Sequence, residues 1–169
     1  MTSQERDALI ESMHAAAAAP RRAVYLHPGE MIATATPTAV KTILGSCISV
    51  CLWDCDRAIG GMNHFVMPRT AASTPNPGRF GSLAIARLID AMIEQGARAT
   101  RLQAKVFGGA TMIPGGEARP NHIGVQNMRI ASELLERAAI PVIACDVGGG
   151  HGRKIVFYTD DGSVALWTL

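Results

Sequence analysis

The sequence predicts an α/β (α+β) fold in which helices pack against a mixed sheet. Short runs rich in β-branched and aromatic residues cluster toward both ends of the chain, and two longer segments with helical periodicity occupy its middle. A chain of 169 residues is most simply one domain. Its composition, 48% apolar and 18% charged, is ordinary for a globular protein with a hydrophobic core.

The first segment, residues 2–19, has the features of a helix. Thr2 and Glu5 fit a capping box, a short apolar stripe follows, and a proline comes directly after the closing run of alanines. We interpret residues 1–20 as an N-terminal extension, helical or mobile, and residues 21–169 as a single domain.

The next part of the chain is predicted to form short strands. Residues 21–35 contain two strand-like runs that are broken at Pro28-Gly29. The runs ISVCLWD and AIGGMNHFVMP are separated only by CDR, and this arrangement predicts a β-hairpin. The turn-forming residues of TAASTPNPG then predict a loop.

Two helices and four more strands complete the prediction. The segment RFGSLAIARLIDAMIEQG has Leu88 and Met92 on one face, charged residues on another, and Gly96 as a C-terminal stop. The segment NHIGVQNMRIASELLERAAI places Ile130 and Leu134 at helical spacing. The strands predicted in this half of the chain are LQAKVFGG, PVIACDVGGG, KIVFYT and SVALWT.

Charge and hydropathy exclude several classes of function. The net charge is only +2 and no basic stripe with interleaved aromatic residues occurs, so no nucleic-acid partner is expected. The N-terminus carries acidic residues where a secretory signal needs a positive start and an apolar run. No apolar stretch reaches the roughly 18 residues that span a bilayer, so the protein is not expected to be membrane-embedded. We therefore expect a cytoplasmic protein with reduced cysteines.

Three of the four cysteines, Cys47, Cys51 and Cys55, lie four residues apart in KTILGSCISVCLWDC. On a strand, four residues span roughly 13 Å, whereas each sulfur bound to a zinc ion lies about 2.3 Å from it. Consecutive cysteines on one strand therefore do not chelate the same ion, and no metal site is predicted. We expect Cys51 and Cys145, inside apolar strands, to be buried inert thiols, and Cys55, in a polar turn, to be exposed.

Cys47 differs from these thiols because it follows Gly45-Ser46, where a loop enters a strand. Consecutive backbone N–H groups at such a turn can converge on an anion, lower the pKa of a thiol and form an oxyanion hole. His64 lies on the strand predicted to pair with the one after Cys47, so the hairpin would bring their side chains together. This pair suits a cysteine nucleophile with a histidine base, and from the local residues alone the alternative is an inert thiol like the others.

Seven segments strengthen that interpretation by their order along the chain. They are LHPGE, TILGSCISVCLWD, GGMNHFVMP, PGRFG, AKVFGGATM, IGVQN and DVGGGHGRKIVFYTDDG. Together they closely resemble the chemoreceptor glutamine deamidase family, CheD, over roughly residues 22–169. One departure is Val125-Gln126, which replaces the Glu-Arg of the family's IGERN.

The resemblance implies a compact α/β sandwich, like that of the bacterial toxin deamidases. It implies a cysteine hydrolase that needs no cofactor and converts particular glutamine side chains of methyl-accepting chemotaxis receptors to glutamate. A glutamate methyl ester presents the same acyl carbon and is expected to be a substrate as well. By position, the family's nucleophile matches Cys47 and its histidine matches His64. Its third catalytic residue is a threonine shortly before the cysteine, for which Thr42 is the candidate; Lys41 and a backbone carbonyl are the alternatives.

The expected partners are the cytoplasmic domains of chemoreceptors, as protein substrates, and a CheC-type chemotaxis phosphatase, which the resemblance implies that the chain binds and modulates. An alternative function is therefore that of a non-catalytic binding partner and regulator of a CheC-type phosphatase. The presence of both Cys47 and His64 favours the enzyme, because a pure adaptor needs neither. A third interpretation is a general thiol hydrolase of small amides, but nothing in the sequence indicates a small-molecule pocket.

Overall fold

A computed structural model of the chain describes residues 20–71, 73–113 and 119–169, so the helix predicted at residues 2–19 lies outside the described residues. The described residues contain nine strands and two α-helices. In chain order these elements are β1 (Arg22–Tyr25), β2 (Met31–Thr34), β3 (Thr38–Leu44), β4 (Ile48–Asp54), β5 (Ile59–Asn63), α1 (Gly81–Glu94), β6 (Leu102–Gly108), α2 (Ile123–Arg137), β7 (Val142–Val147), β8 (Arg153–Tyr158) and β9 (Val164–Thr168).

The strands form two mixed sheets. The first has the order β1-β3-β8-β9, with β1 and β3 parallel, and the second has the order β2-β5-β4-β6-β7, with β6 and β7 parallel. The remaining neighbours in both sheets are antiparallel. The predicted hairpin is β4–β5, in which Cys51 lies opposite Met62. The α/β sandwich that the sequence predicts is confirmed.

The five-stranded sheet is the middle of three layers, because β4 is buried on both faces. On one face, Ile48, Val50 and Leu52 pack in the core cluster that the two helices share. On the other face, Cys51 packs against residues of the four-stranded sheet, including Phe157. Each fully buried aliphatic side chain in these clusters contributes about 1.5–3 kcal/mol by leaving water. This double burial fixes the register of the strand that follows Cys47.

Both predicted helices are confirmed, and neither has the length and apolar character that crossing a bilayer requires; this finding covers only the described part of the chain. In α1, Leu88 and Met92 are fully buried on the side facing the sheet. Gly96 follows the helix with a φ of +101°, a left-handed conformation that suits the position after a helix end. In α2, the His122 ring accepts a hydrogen bond of 3.1 Å from the Gly124 N–H and caps the helix.

Two features differ from the sequence-based expectations. Strand β3 was not among the predicted strands, although its inward and outward residues alternate strictly. Cys145 was predicted to be buried and is exposed. The reason is that β7 lies at the edge of the five-stranded sheet, beside β6 alone, and five of its six side chains are exposed. A short apolar run is buried only where other layers cover it.

Candidate active site

Cys47 lies in the turn between β3 and β4, directly before Ile48, and is half-buried. The turn is anchored by the segment after β6: Gly109 donates a hydrogen bond of 2.8 Å to the Cys47 carbonyl, and Ala110 donates one of 2.9 Å to the Gly45 carbonyl. Gly108 approaches so closely that a Cβ there would lie 2.1 Å from the Cys47 oxygen. Any side chain at residue 108 would therefore displace the backbone that carries the thiol.

His64 follows β5 directly and lies on the same face of the sheet as Cys47. The backbones of Ile48 and Phe65 exchange two hydrogen bonds, of 3.1 and 3.0 Å, and form an antiparallel bridge. Cys47 is therefore opposite Val66, and His64, two residues earlier, is its diagonal neighbour on that face. Diagonal neighbours of this kind have backbones about 7–8 Å apart, which is within reach of an imidazole ring. The structure thus places the two predicted residues at one site.

The main chain of His64 is also held on both sides. Its carbonyl accepts a hydrogen bond of 2.7 Å from the Gly29 N–H, and its N–H donates one of 3.1 Å to the Glu30 carbonyl. Both partners belong to the loop between β1 and β2. The segment LHPGE noted in the sequence therefore fixes the backbone of the histidine.

Thr42 is fully buried on β3 and joins its hydroxyl to the His64 ring. The Thr42 Oγ1 lies 2.9 Å from His64 Nδ1 and donates a hydrogen bond of 2.7 Å to the Leu26 carbonyl. A hydroxyl has one proton, and here it is given to Leu26, so the Thr42 oxygen accepts the proton of Nδ1. The other ring nitrogen, Nε2, is then unprotonated, and it is buried without a hydrogen-bond partner among the described residues. This tautomer leaves Nε2 free to accept a proton.

Burial sets the protonation of both groups. Loss of solvent lowers the pKa of His64 to about 4; a hydrogen bond to the Leu26 carbonyl opposes this shift, and the charges of Arg79 and His27 add to it. Burial raises the pKa of the Cys47 thiol, whereas the Arg79 charge and the backbone N–H of Cys47 itself lower it. At neutral pH the resting site therefore holds a neutral thiol beside a neutral imidazole.

Arg79 is a site residue that the sequence analysis did not single out, although it lies in the quoted segment PGRFG. Its carbonyl accepts hydrogen bonds from the Val66 and Met67 N–H groups, at 2.8 and 3.0 Å, so its backbone is tied to the segment that follows His64. Its side chain is exposed, and its charge reaches both Cys47 and His64. A cation in this place stabilises negative charge on the sulfur and disfavours an imidazolium.

Lys41, the alternative to Thr42, is exposed, as expected for the residue next to a buried one on a strand.

Of the other cysteines, Cys51 is fully buried and Cys55 is exposed, as predicted. Burial raises the pKa of the Cys51 thiol further, so this thiol is unreactive. Within the described ranges, no three histidine, cysteine or acidic side chains cluster as metal ligands would. The substituted Gln126 donates to the Asn121 carbonyl, away from the Cys47–His64 pair.

The sequence of this chain matches a known protein family. The model of the family described as "CheD chemotactic sensory transduction" matches residues 66–168. A relative from Anaeromyxobacter dehalogenans, "Probable chemoreceptor glutamine deamidase CheD 1", is 46% identical over 147 residues, which cover 87% of this chain and 84% of the relative. Relatives from Stenotrophomonas maltophilia and Trichlorobacter lovleyi, named in the same way, are each 41% identical over 87% of this chain and cover 73% and 91% of their own lengths.

The family model covers α1, α2 and the strands β6 to β9, and the relatives match most of the chain. A family model that covers more than half of the chain, together with relatives above 40% identity over most of its length, establishes the relationship. The chain therefore belongs to the CheD family.

Proposed function

We propose that this chain is a chemoreceptor glutamine deamidase, a protein-glutamine glutaminase in which Cys47 is the nucleophile, His64 the base and Thr42 the residue that orients the base. The names of its relatives support the substrate, a glutamine side chain of a chemoreceptor. The observation that carries the proposed chemistry is the hydrogen bond between Thr42 and His64 Nδ1, because it leaves Nε2 as an unprotonated base on the face that Cys47 shares.

The first half of the reaction forms a thioester. As the Cys47 sulfur attacks the carboxamide carbon of the glutamine, the thiol proton moves to His64 Nε2. The carbonyl oxygen becomes an oxyanion, which the Cys47 backbone N–H stabilises. When this intermediate collapses, the proton on Nε2 passes to the amide nitrogen and ammonia leaves, so that the acyl group remains on the sulfur.

The second half hydrolyses the thioester. His64 Nε2 takes a proton from a water molecule as the water oxygen attacks the acyl carbon, and the returning proton restores the thiol. The product is a glutamate side chain. A glutamate methyl ester enters the same path, with methanol leaving in place of ammonia. Arg79 contributes by stabilising negative charge at the sulfur as the proton departs.

The substrate places the reaction at the cytoplasmic domains of chemoreceptors, and a cytoplasmic location is part of the proposal. Binding to a CheC-type phosphatase is the second role that the family resemblance implies. As a sole function it is the alternative, in which the chain regulates the phosphatase and performs no chemistry.

The proposal is tested by incubating a purified receptor cytoplasmic fragment with the protein and mapping its glutamines by peptide mass spectrometry. Wild type is expected to convert specific glutamines to glutamate. The Cys55→Ala variant, which removes an exposed thiol far from the turn, is the matched control and is expected to do the same. If wild type converts no glutamine yet binds a CheC-type phosphatase, the alternative replaces the proposal.

A further inference from the structure

Asn127, on α2, connects the two chain segments that carry the candidate nucleophile and base. Its side-chain Nδ2 donates hydrogen bonds to the Ser46 carbonyl, at 2.9 Å, and to the Val66 carbonyl, at 2.8 Å. Ser46 directly precedes Cys47, and Val66 lies two residues after His64. Asn127 itself is fully buried. One amide group therefore links the turn before the thiol to the segment after the histidine.

The chemistry of the partners fixes the orientation of this amide. Both Ser46 and Val66 present carbonyl oxygens, which only accept hydrogen bonds, so the nitrogen of Asn127 must face them. The Oδ1 atom is then left buried without a partner among the described residues. An unpaired buried acceptor is costly, so this asparagine carries a stability penalty. A buried polar group without a partner calls for an explanation, and functional sites are places where local rules of folding are commonly broken.

The bond to Ser46 orients the amide of Cys47. In a trans peptide the carbonyl of one residue and the N–H of the next point in opposite directions. The Ser46 carbonyl points toward Asn127, so the Cys47 N–H of the same peptide points away from α2, where it lies against its own sulfur. The flanking carbonyls of Gly45 and Cys47 are bonded to the segment after β6. Of the three carbonyls in this turn, the Ser46 carbonyl is thus the one that a side chain holds.

We propose that Asn127 is a positioning residue that fixes the Ser46–Cys47 peptide so that the Cys47 N–H serves as an oxyanion donor. This inference rests on the proposed function for the identity of the substrate. It goes beyond the proposed function because it assigns the group that aligns the oxyanion site. Removing an oxyanion donor outright slows catalysis by about 10²- to 10³-fold. Releasing the peptide that carries the donor is expected to slow acyl transfer by roughly 10- to 100-fold, because the N–H stays in place but is no longer held.

The test compares two reactions of Cys47, of which one forms an oxyanion and one does not. With p-nitrophenyl acetate the sulfur attacks the ester carbon and an oxyanion forms; p-nitrophenolate then leaves and the acetyl group is bound to Cys47 as a thioester until water hydrolyses it. In iodoacetamide the sulfur displaces iodide from a CH₂ carbon and no oxyanion forms. Peptide mass spectrometry of samples quenched in acid within the first turnover measures both rates at Cys47, with the exposed Cys55 as an internal reference.

Asn127→Asp and Asn127→Ala are expected to lower the acylation rate of Cys47 by roughly 10- to 100-fold and its alkylation rate by less than roughly 3-fold. Leu135→Ala is the matched control, because Leu135 is fully buried on the same helix and belongs to the core. It is expected to lower the melting temperature and leave the ratio of the two rates unchanged. Two variants at residue 127 are used so that the test can still be made if one of them fails to fold.

Three outcomes would overturn the inference: wild-type acylation in both Asn127 variants, an equal loss of acylation and alkylation, or no acylation of Cys47 in wild type. None of them requires a receptor. Receptor deamidation is measured in parallel, and a wild-type protein whose Cys47 is acylated but which leaves receptor glutamines intact would remove the proposed function and leave the role of Asn127 standing.

Discussion

Replacing Thr42 by valine removes the hydroxyl that orients His64 and keeps the shape of the side chain. Two hydrogen bonds are lost, to His64 Nδ1 at 2.9 Å and to the Leu26 carbonyl at 2.7 Å. During acyl transfer the imidazole becomes positively charged, and a hydrogen bond to a charged group contributes about 1.5–3 kcal/mol. That energy corresponds to a factor of roughly 10 to 150 in rate. Since the Leu26 carbonyl also stabilises the charged ring, we expect a loss of roughly 10- to 100-fold in kcat.

KM is expected to change much less than kcat, because Thr42 is fully buried and does not reach the surface where a receptor binds. The assay is steady-state deamidation of a receptor fragment, with folding of each variant verified by its melting temperature. Thr42→Ser keeps the hydroxyl and is the control, expected to retain most of the activity. Wild-type kcat in Thr42→Val would refute the assigned role and return attention to a main-chain carbonyl, with that of Leu26 the nearest candidate.

Other predictions concern protonation, thiol reactivity and metal. Arg79→Gln should raise the pKa of Cys47 and slow its alkylation by iodoacetamide at neutral pH; an unchanged pH profile of alkylation would contradict this. The pKa of His64 is about 4 in the folded state against an ordinary 6.5, so the unfolded chain binds the proton first as the pH falls. Wild type should therefore lose up to about 3 kcal/mol of unfolding free energy between pH 6.5 and pH 4 relative to His64→Gln, as measured by urea denaturation. An equal loss of unfolding free energy in the two proteins would disprove the lowered pKa of His64. Cys51 should resist alkylation until the protein unfolds, whereas Cys55 should react in the native state, as peptide mapping would report. Deamidation should survive a strong chelator, and a loss that zinc restores would revive a metal role for the cysteines.

The sequence was sufficient to predict α1, α2 and the β4–β5 hairpin, whose register puts Cys47 and His64 on neighbouring strand ends, because each has a local signal. The apolar stripes of the helices repeat with the helical period, and the turn between β4 and β5 is short. A hairpin with defined register then brings a residue before one strand near a residue after the other.

Strand β3 escaped prediction because its buried positions include polar residues. Its inward positions include Thr38 and Thr42, which are polar, and its outward positions include Ile43, which is 49% exposed. The apolar and polar residues therefore do not alternate, although the buried and exposed ones do. The inward hydroxyl of Thr42 is hydrogen-bonded to the Leu26 carbonyl and to the His64 ring, and local rules of patterning commonly fail at functional sites.

The contributions of Arg79 and Asn127 were out of reach of the sequence for a different reason. Each contacts the surroundings of Cys47 from a part of the chain that is distant in sequence. Arg79 does so through its charge, and Asn127 through its hydrogen bond to the Ser46 carbonyl. A sequence shows which residues are present but not which of them the sheet and helix α2 bring to one turn. Their segments, PGRFG and IGVQN, carried a family signal without indicating the physical role.

The most direct test of the account is whether Cys47 carries the acyl group during turnover. Wild type is mixed with a receptor fragment, quenched in acid within the first turnover and digested, and the peptides are identified by mass spectrometry. The account predicts a receptor peptide joined through its former glutamine side chain to the peptide that contains Cys47, and no glutamate formation by a folded Cys47→Ala variant. Glutamate formation by Cys47→Ala at the wild-type rate would contradict it.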